Sequence, residues 1–198
     1  YPDAGCTLDY DHAWQLLVSV RLAAQGTDAR VNIVVEDLFA RYPSVAALAA
    51  AEPEDIEAIV KPCGLGHSKA RDISACMRML RDKYNCQVPT TFEELLALPG
   101  VGRKSANLIM GDVFGEPAIV TDTHCIRLCN KIGLVDGIKE PQKVEMALWK
   151  IVPPEEGSDL CHRFVMHGRA VCNARKPECE KCCLSDICRY AREEASNV

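Results

Sequence analysis

A short glycine-rich segment between two helical patterns constrains the fold of this 198-residue chain more than any other feature. The segment runs Leu98-Pro-Gly-Val-Gly-Arg-Lys-Ser-Ala-Asn107. Pro99 cannot lie inside a helix, and Gly100 and Gly102 permit turns that other residues resist. Apolar residues at helical spacing precede it over 91–98 and follow it over 103–114. The sequence therefore predicts a helix, a tight hairpin and a second helix.

Such a hairpin presents backbone N–H groups at the start of its second helix. Together with the helix dipole, these groups form a site for an anionic oxygen such as a DNA phosphate. Lys104 falls in the first turn of that helix. A tight turn between two helices, with a solvated lysine, explains the same residues, so the hairpin alone leaves both interpretations open.

The chain as a whole is predicted to form about ten short helices, including the two beside the hairpin, so the predicted fold class is all-α. Apolar residues at helical spacing support this over most segments, although Val31 to Val35 is β-branched and permits a short strand as the alternative. Thr27 or Asp28 is expected to cap the second helix, and Ser68 to cap the helix that runs to Lys83. The predicted helices lie at 11–24, 28–42, 44–51, 53–61, 68–83, 91–98, 103–114, 122–132, 141–151 and 159–171.

Composition is that of a globular protein, with 48% hydrophobic and 26% charged residues. No apolar run approaches the length of a membrane span, so we expect no membrane anchor. The net charge of −5 argues against a uniformly basic nucleic-acid-binding surface, yet a local basic surface can still bind a phosphate chain. Because the chain begins at Tyr1 rather than methionine, we expect further native residues before it.

Four cysteines near the C-terminus have the spacing of a metal site: Cys172, Cys179, Cys182 and Cys188. Zinc sites usually contain two Cys-x-x-Cys pairs, whereas this segment has one pair with longer reaches on either side. Those irregular spacers favour a [4Fe–4S] cluster, whose four thiolates stand several ångströms apart. Cys183 follows Cys182 directly and is expected to point away from the metal. The other seven of the twelve cysteines lie in apolar segments and are predicted to be buried thiols.

With this cysteine spacing, the sequence resembles the endonuclease III branch of the helix-hairpin-helix DNA glycosylases. The resemblance runs in the family's order from about Gln25 to Cys188. The hairpin resembles the family hairpin that carries a catalytic lysine, and Val120-Thr-Asp-Thr-His124 resembles the segment that carries a catalytic aspartate. Gln25-Gly-Thr-Asp28 is similar to the segment that fills the gap left by a flipped base. Gly64-Leu-Gly-His-Ser-Lys-Ala70 is similar to the loop that inserts a leucine wedge.

The resemblance implies roles for individual residues. Lys104 and Asp122 would be catalytic, and the four cysteines would hold a structural [4Fe–4S] cluster. The implied DNA contacts are Gln25, Leu65, Gly100, Gly102, Arg103, Arg175 and Lys176. Without the resemblance, Asp122 is interpreted as a helix cap and Leu65 as a core leucine in a turn. Gln25 is then a residue at a helix end, and His124 is a buried, hydrogen-bonded histidine.

A lysine amine is a nucleophile only when it is neutral, and its ordinary pKa near 10.4 leaves it charged at pH 7. Burial and a helix N-terminus both disfavour the ammonium, and Lys104 lies where it could have both. The amine could then attack a sugar C1′, expel the base and form a Schiff base, after which β-elimination would cut the strand. Asp122 could stabilise positive charge on the sugar and accept the lysine proton.

The resemblance implies two domains with the active site in the cleft between them: a six-helix domain over 6–116, and a cluster domain formed by 1–5 and 117–198. We expect a bifunctional glycosylase and AP lyase that removes oxidised pyrimidines from duplex DNA containing a damaged base or abasic site. It would act as a monomer in a prokaryotic cytoplasm, associated with the nucleoid. The alternatives are a glycosylase for uracil, mismatched or alkylated bases, and a non-enzymatic iron–sulfur protein that binds DNA or transfers electrons.

Overall fold

The computed structural model describes residues 1–196 and consists of helices, with no strand in that range. The all-α prediction is therefore confirmed. The α-helices are α1 Ala13–Ala23, α2 Asp28–Arg41, α3 Val45–Ala50, α4 Pro53–Val60, α5 Gly66–Lys83, α6 Phe92–Leu96, α7 Arg103–Asp112, α8 Thr123–Ile132, α9 Pro141–Leu148, α10 Gly157–Ala170 and α11 Arg189–Ser196. Short 3₁₀ helices lie at Lys61–Cys63, Pro154–Glu156 and Cys179–Lys181.

The chain forms two compact units, each with its own apolar core. One, here called the hairpin unit, is Cys6–Phe114. The other, here called the cysteine unit, combines Tyr1–Gly5 with the residues from Gly115 onward.

The hairpin unit is built around α1 and α5. Helix α1 is apolar on most sides, as a central helix requires, and Leu16 and Leu22 have no exposed surface. Helix α5 packs along both α3 and α4. Thr27 caps α2 as predicted, since its side chain accepts a hydrogen bond from the N–H of Arg30. Thr91 caps α6 in the same way, through the N–H of Glu94. The β-branched stretch at 31–35 lies within α2, so the strand alternative is wrong.

The cysteine unit packs α8 against α10. Gly168 allows this approach, since a Cβ there would collide with His124. Gly157, at the start of α10, lies instead against the segment before α8, where a Cβ would come within 2.5 Å of the Ala118 carbonyl oxygen. Three buried cysteines, Cys125, Cys129 and Cys161, belong to its core. Close packing of this kind leaves the start of α8, at Asp122, on a rigid support.

Several element boundaries differ from the sequence predictions. Helix α5 begins at Gly66 rather than at Ser68, and its N-cap is Leu65 in a left-handed conformation. Helix α6 ends at Leu96, and α9 at Leu148, each three residues or fewer before the predicted end. The sequence analysis does not predict the C-terminal helix α11, which is short and polar and has no buried residue.

Across residues 1–196, no helix combines the length and apolar character that a membrane crossing requires.

The burial of the cysteines outside the C-terminal segment largely matches the prediction. Cys63 and Cys76 are buried, whereas Cys6 and Cys86 are only partly so. Burial raises the pKa of Cys76 to about 12 and that of Cys6 to about 11, which makes both thiols poor nucleophiles.

Candidate functional site

The hairpin places Lys104 in the first turn of α7, as predicted. The side chain is exposed, so the expectation that burial would favour its neutral form is wrong for the chain alone. What remains is the position at a helix N-terminus, whose N–H groups have no partner within the helix. The N-cap is Gly102, which offers no side chain to those groups. The neighbouring Arg103 lies with its guanidinium 5.0 Å from the ring centre of Phe92.

Gly100 is the hairpin residue that must be glycine. Its φ of +77° lies in the left-handed region, and an added Cβ would come within 2.8 Å of Asp72. Arg21 donates to that Asp72 carboxylate at 2.7 Å, so the hairpin rests on an ion pair between α1 and α5. Gly102 differs, because its φ of −95° is open to any residue. Its value to the site is the open space around it, with no atom within 4 Å of an added Cβ.

Gln25 and Leu65 share an unusual backbone geometry. Both are exposed, and both have positive φ, at 60° and 49°, a backbone geometry that Asn85 and Cys86 of the same unit share. Leu65 leaves 58% of its surface exposed, which rules out the core-leucine interpretation. Residues other than glycine are seldom held at positive φ, and such strain tends to cluster at functional positions. The two side chains that the resemblance assigns to insertion into DNA are therefore both exposed on the surface of the hairpin unit, on strained backbone.

Asp122 is the N-cap of α8. Its Oδ1 accepts a hydrogen bond from the N–H of Cys125 at 2.7 Å, so the capping role is observed directly. The side chain is half-buried, which leaves part of the carboxylate accessible. His124 is also half-buried and its Nδ1 accepts a hydrogen bond from Arg127, an arrangement that fixes the neutral tautomer. Burial is the largest cause that lowers the pKa of His124.

The four C-terminal cysteines surround one short segment of the cysteine unit. Cys172 follows α10, Cys179 begins a 3₁₀ helix, Cys182 follows that helix, and Cys188 is buried just before α11. Burial raises the pKa of Cys182, the hydrogen bond from the N–H of Leu184 lowers it, and the neighbouring thiols of Cys183, Cys188 and Cys179 add to the rise. The fifth, Cys183, is exposed.

Two groups contact the sulfur of Cys182. The N–H of Leu184 donates to it at 3.4 Å, and Nε2 of the buried His167 lies 3.3 Å away. Hydrogen bonds of this kind stabilise thiolates that serve as ligands. Between Cys172 and Cys179, Arg175 and Lys176 are both exposed.

Comparison with known proteins identifies the family. Residues 18–154 match the model of the HhH-GPD superfamily of base excision DNA repair proteins. Endonuclease III of Synechocystis is 42% identical over 97% of this chain and 88% of its own length, and that of Escherichia coli K12 is 39% identical over 96% and 89%. The chain belongs to the endonuclease III family.

A solved structure of a trapped endonuclease III–DNA covalent intermediate matches this family member at a TM-score of 0.92. The two are 41% identical, and the match covers 98% of this chain and 91% of that one. The helix-hairpin-helix fold expected from the sequence is therefore confirmed.

The donor set near the C-terminus of this endonuclease III-family chain consists of four cysteine sulfurs, which are the ligands that iron–sulfur clusters use. Within residues 1–196, no three cysteine, histidine or acidic side chains converge closely enough to bind one metal ion. A zinc ion would need four ligands at about 2.0–2.3 Å from one point. A cubane cluster is bound by thiolates at its separate corners, and the irregular spacing of these four cysteines suits that arrangement.

Sequence reasoning missed three residues that organise this site. Arg127 donates to the carbonyl of Cys172 as well as to His124. His167 contacts Cys182, and Lys69 lies fully buried beside the loops of Gln25 and Leu65. Lysine is almost never fully buried, so no pattern in the sequence points to Lys69 in this role.

Proposed function

We propose that this endonuclease III-family chain is a bifunctional DNA glycosylase and AP lyase that removes damaged pyrimidines from duplex DNA. The observation that carries the proposal is Lys104 in the first turn of a helix after a glycine hairpin, in a chain whose fold matches that of a trapped endonuclease III–DNA covalent intermediate. An exposed amine at that position is available to a sugar carbon brought to it by DNA.

Lys104 supplies the nucleophile. Its nitrogen forms a bond to C1′ while the glycosidic bond breaks, and the base leaves with the electron pair of that bond and a proton. After the nitrogen loses one proton, its electron pair forms the C=N bond to C1′ while the C1′–O4′ bond breaks and O4′ takes up a proton. The protonated Schiff base that results acidifies C2′, so loss of a C2′ proton breaks the C3′–O3′ bond, expels the 3′ phosphate and cuts the strand. Because Lys104 is exposed in the chain alone, we propose that bound DNA supplies the desolvation that favours the neutral amine.

Asp122 supplies a carboxylate that stabilises positive charge on the sugar and accepts the lysine proton. Its hydrogen bond to the N–H of Cys125 holds the side chain in one orientation. We infer that capping and catalysis use the same carboxylate, since Oδ1 caps α8 while the second oxygen can face the substrate.

The protruding side chains of the hairpin unit hold the opened duplex. An enzyme that extrudes a base must fill the space left in the stack, and an apolar wedge does this well. We assign the wedge to Leu65 and the contact with the orphaned base to Gln25. Gly100, Gly102 and Arg103 would hold the DNA backbone at the start of α7.

Cys172, Cys179, Cys182 and Cys188 would hold a [4Fe–4S] cluster. When bound, the cluster supplies a fixed frame for the loop of the cysteine unit and takes no part in base removal. Arg175 and Lys176, exposed between the first two ligands, would then grip the phosphate backbone. We further propose a monomer that works on the bacterial nucleoid.

A lesion panel in duplex oligonucleotides tests this function. We expect release of oxidised pyrimidines, followed by strand cleavage 3′ to the lesion. Preferred release of uracil, mismatched thymine or an alkylated base would assign the chain to a different specificity, because pocket shape sets the base. Binding without base release on any substrate would favour the non-enzymatic alternative.

A further inference from the structure

Lys69 is a fully buried lysine in the first turns of α5. None of its surface is exposed, and its Nζ donates hydrogen bonds to two backbone carbonyls, that of Leu22 at 2.8 Å and that of Cys63 at 2.9 Å. Burial lowers the pKa of Lys69. Because an amine with no partner is costly to bury, the two bonds are what hold it there.

Both carbonyls belong to helix ends. Leu22 lies in the last turn of α1, and Cys63 ends the 3₁₀ helix Lys61–Cys63. The last carbonyls of a helix have no partner within it and carry partial negative charge, so a cation there is favourable. A single side chain therefore stabilises two helix ends that lie far apart in the sequence.

Each of those ends leads directly into one of the strained loops. Gln25 lies three residues after Leu22, and Leu65 lies two residues after Cys63. The turn after Gln25 packs over the same two carbonyls, since a Cβ at Gly26 would lie 3.6 Å from the Cys63 oxygen and 3.7 Å from the Leu22 oxygen. Strained backbone persists only where the surroundings hold it in place.

Arg30 of α2 also links these regions. It donates to the Pro62 carbonyl at 3.4 Å, but this hydrogen bond is exposed. Exposed interactions of long side chains contribute little to rigidity, whereas buried ones are strong. Lys69 therefore makes the stronger connection between the Gln25 loop and the Leu65 loop.

We propose that Lys69 is a positioning residue that locks the Gln25 and Leu65 loops into one rigid element, so that both side chains enter the DNA together. This inference rests on the proposed function, because it concerns the loops that would enter the duplex. Two separately mobile loops would lack the alignment that base extrusion requires. A misplacement of about 1 Å can slow a reaction by about 100-fold.

Lys69→Met tests the proposal, because methionine keeps the length and removes the donor. Lys83→Met is the matched control, since Lys83 is an exposed lysine at the far end of the same helix. We expect Lys69→Met to slow single-turnover base excision from duplex DNA by about tenfold or more. Cleavage at a preformed abasic site should fall less, because a site without a base is easier to extrude.

Coupling to the loops separates positioning from general damage. In a Gln25→Ala, Leu65→Ala background, adding Lys69→Met should slow excision no further, because the side chains that it positions are gone. A further tenfold loss in that background, or equal losses on the paired lesion and the abasic site, would overturn the proposal. So would excision by Lys69→Met at the rate of Lys83→Met.

The failure of the proposed function has a different signature. If the wild-type chain releases no base and forms no covalent adduct with abasic DNA, then the function fails whatever Lys69 does. If Lys69→Met does not fold, amide hydrogen exchange tests the coupling between the Gln25 and Leu65 loops in a variant that keeps Lys69. Leu65→Ala should reduce the protection that DNA gives to the amides after Gln25, and protection equal to that of the wild type would overturn the coupling.

Discussion

Asp122 shows how one side chain can serve both the fold and the chemistry. Its carboxylate caps α8 through the N–H of Cys125, and part of the side chain stays accessible. Substitutions can separate the two roles, because asparagine caps a helix about as well as aspartate but carries no charge.

We therefore predict that Asp122→Asn slows base excision by about 100-fold or more, the scale of losing a positioned acid–base group, while thermal stability stays close to that of the wild type. Asp122→Ala should lose the same activity and also about 1 kcal/mol of stability. Single-turnover excision and thermal melts measure the two effects. DNA affinity should persist in both variants, since a negative charge has been removed. Wild-type excision by Asp122→Asn, with a loss only in Asp122→Ala, would assign Asp122 to capping alone.

Lys104 and Leu65 show what a sequence can predict at the level of one residue. The hairpin pattern correctly predicts that Lys104 lies in the first turn of α7, because glycine and proline have strong local effects. It cannot predict the exposure of Lys104, since burial depends on distant parts of the chain. For Leu65 the residues alone predict a core leucine in a turn, whereas the structure shows an exposed left-handed residue that is the N-cap of α5.

The loop between Cys172 and Cys179 is an element that carries exposed positive charge, at Arg175 and Lys176. Each phosphate neutralised by a cation releases counterions, which makes affinity depend on salt. The net charge of −5 does not favour binding to DNA, so the phosphate contacts must come from a local positive surface such as this loop.

We predict that Arg175→Ala with Lys176→Ala weakens binding to lesion-containing and undamaged duplexes alike. The slope of log affinity against log salt should flatten by about one unit for each phosphate that the chain no longer neutralises. The matched control is Lys139→Ala with Lys150→Ala, which removes the same charge from exposed positions of the same unit. An equal change in slope in both pairs would mean that net charge alone is responsible.

For the segment that holds Cys172, Cys179, Cys182 and Cys188, we predict the metal content of the purified protein. Purified under anaerobic conditions, the protein should be brown, with about four irons and four sulfides per chain. Cys183→Ser should keep the colour, because Cys183 is exposed, whereas serine at Cys172, Cys179, Cys182 or Cys188 should bleach it. Zinc without sulfide would refute the cluster assignment.

Helices with an apolar face can be predicted from this sequence, and those without one cannot. The aspartate cap and apolar pattern of α8 place it correctly, since its observed range is Thr123–Ile132. Helix α11, over Arg189–Ser196, is short, strongly polar and without a buried residue, and the sequence analysis does not predict it. The contact of His167 with Cys182 also escapes prediction, because it joins α10 to a loop fifteen residues further along the chain.

At the scale of the whole molecule, the chain is two units with separate cores, and each contributes one of the two proposed catalytic groups. Lys104 belongs to the hairpin unit and Asp122 to the cysteine unit. The central claim is that the Lys104 amine bonds to the sugar. The other assigned residues serve this step: Gln25 and Leu65 hold the opened duplex, and Asp122 balances the charge on the sugar.

Borohydride trapping tests that claim most directly. Wild-type protein incubated with an abasic-site duplex and borohydride should form a stable adduct, because reduction fixes the Schiff base, and mass spectrometry should place the DNA on Lys104. Lys104→Met should form no adduct while keeping its helical content and colour, and Lys83→Met should trap as the wild type does. An adduct that persists in Lys104→Met, or that maps to another amine, would contradict the account.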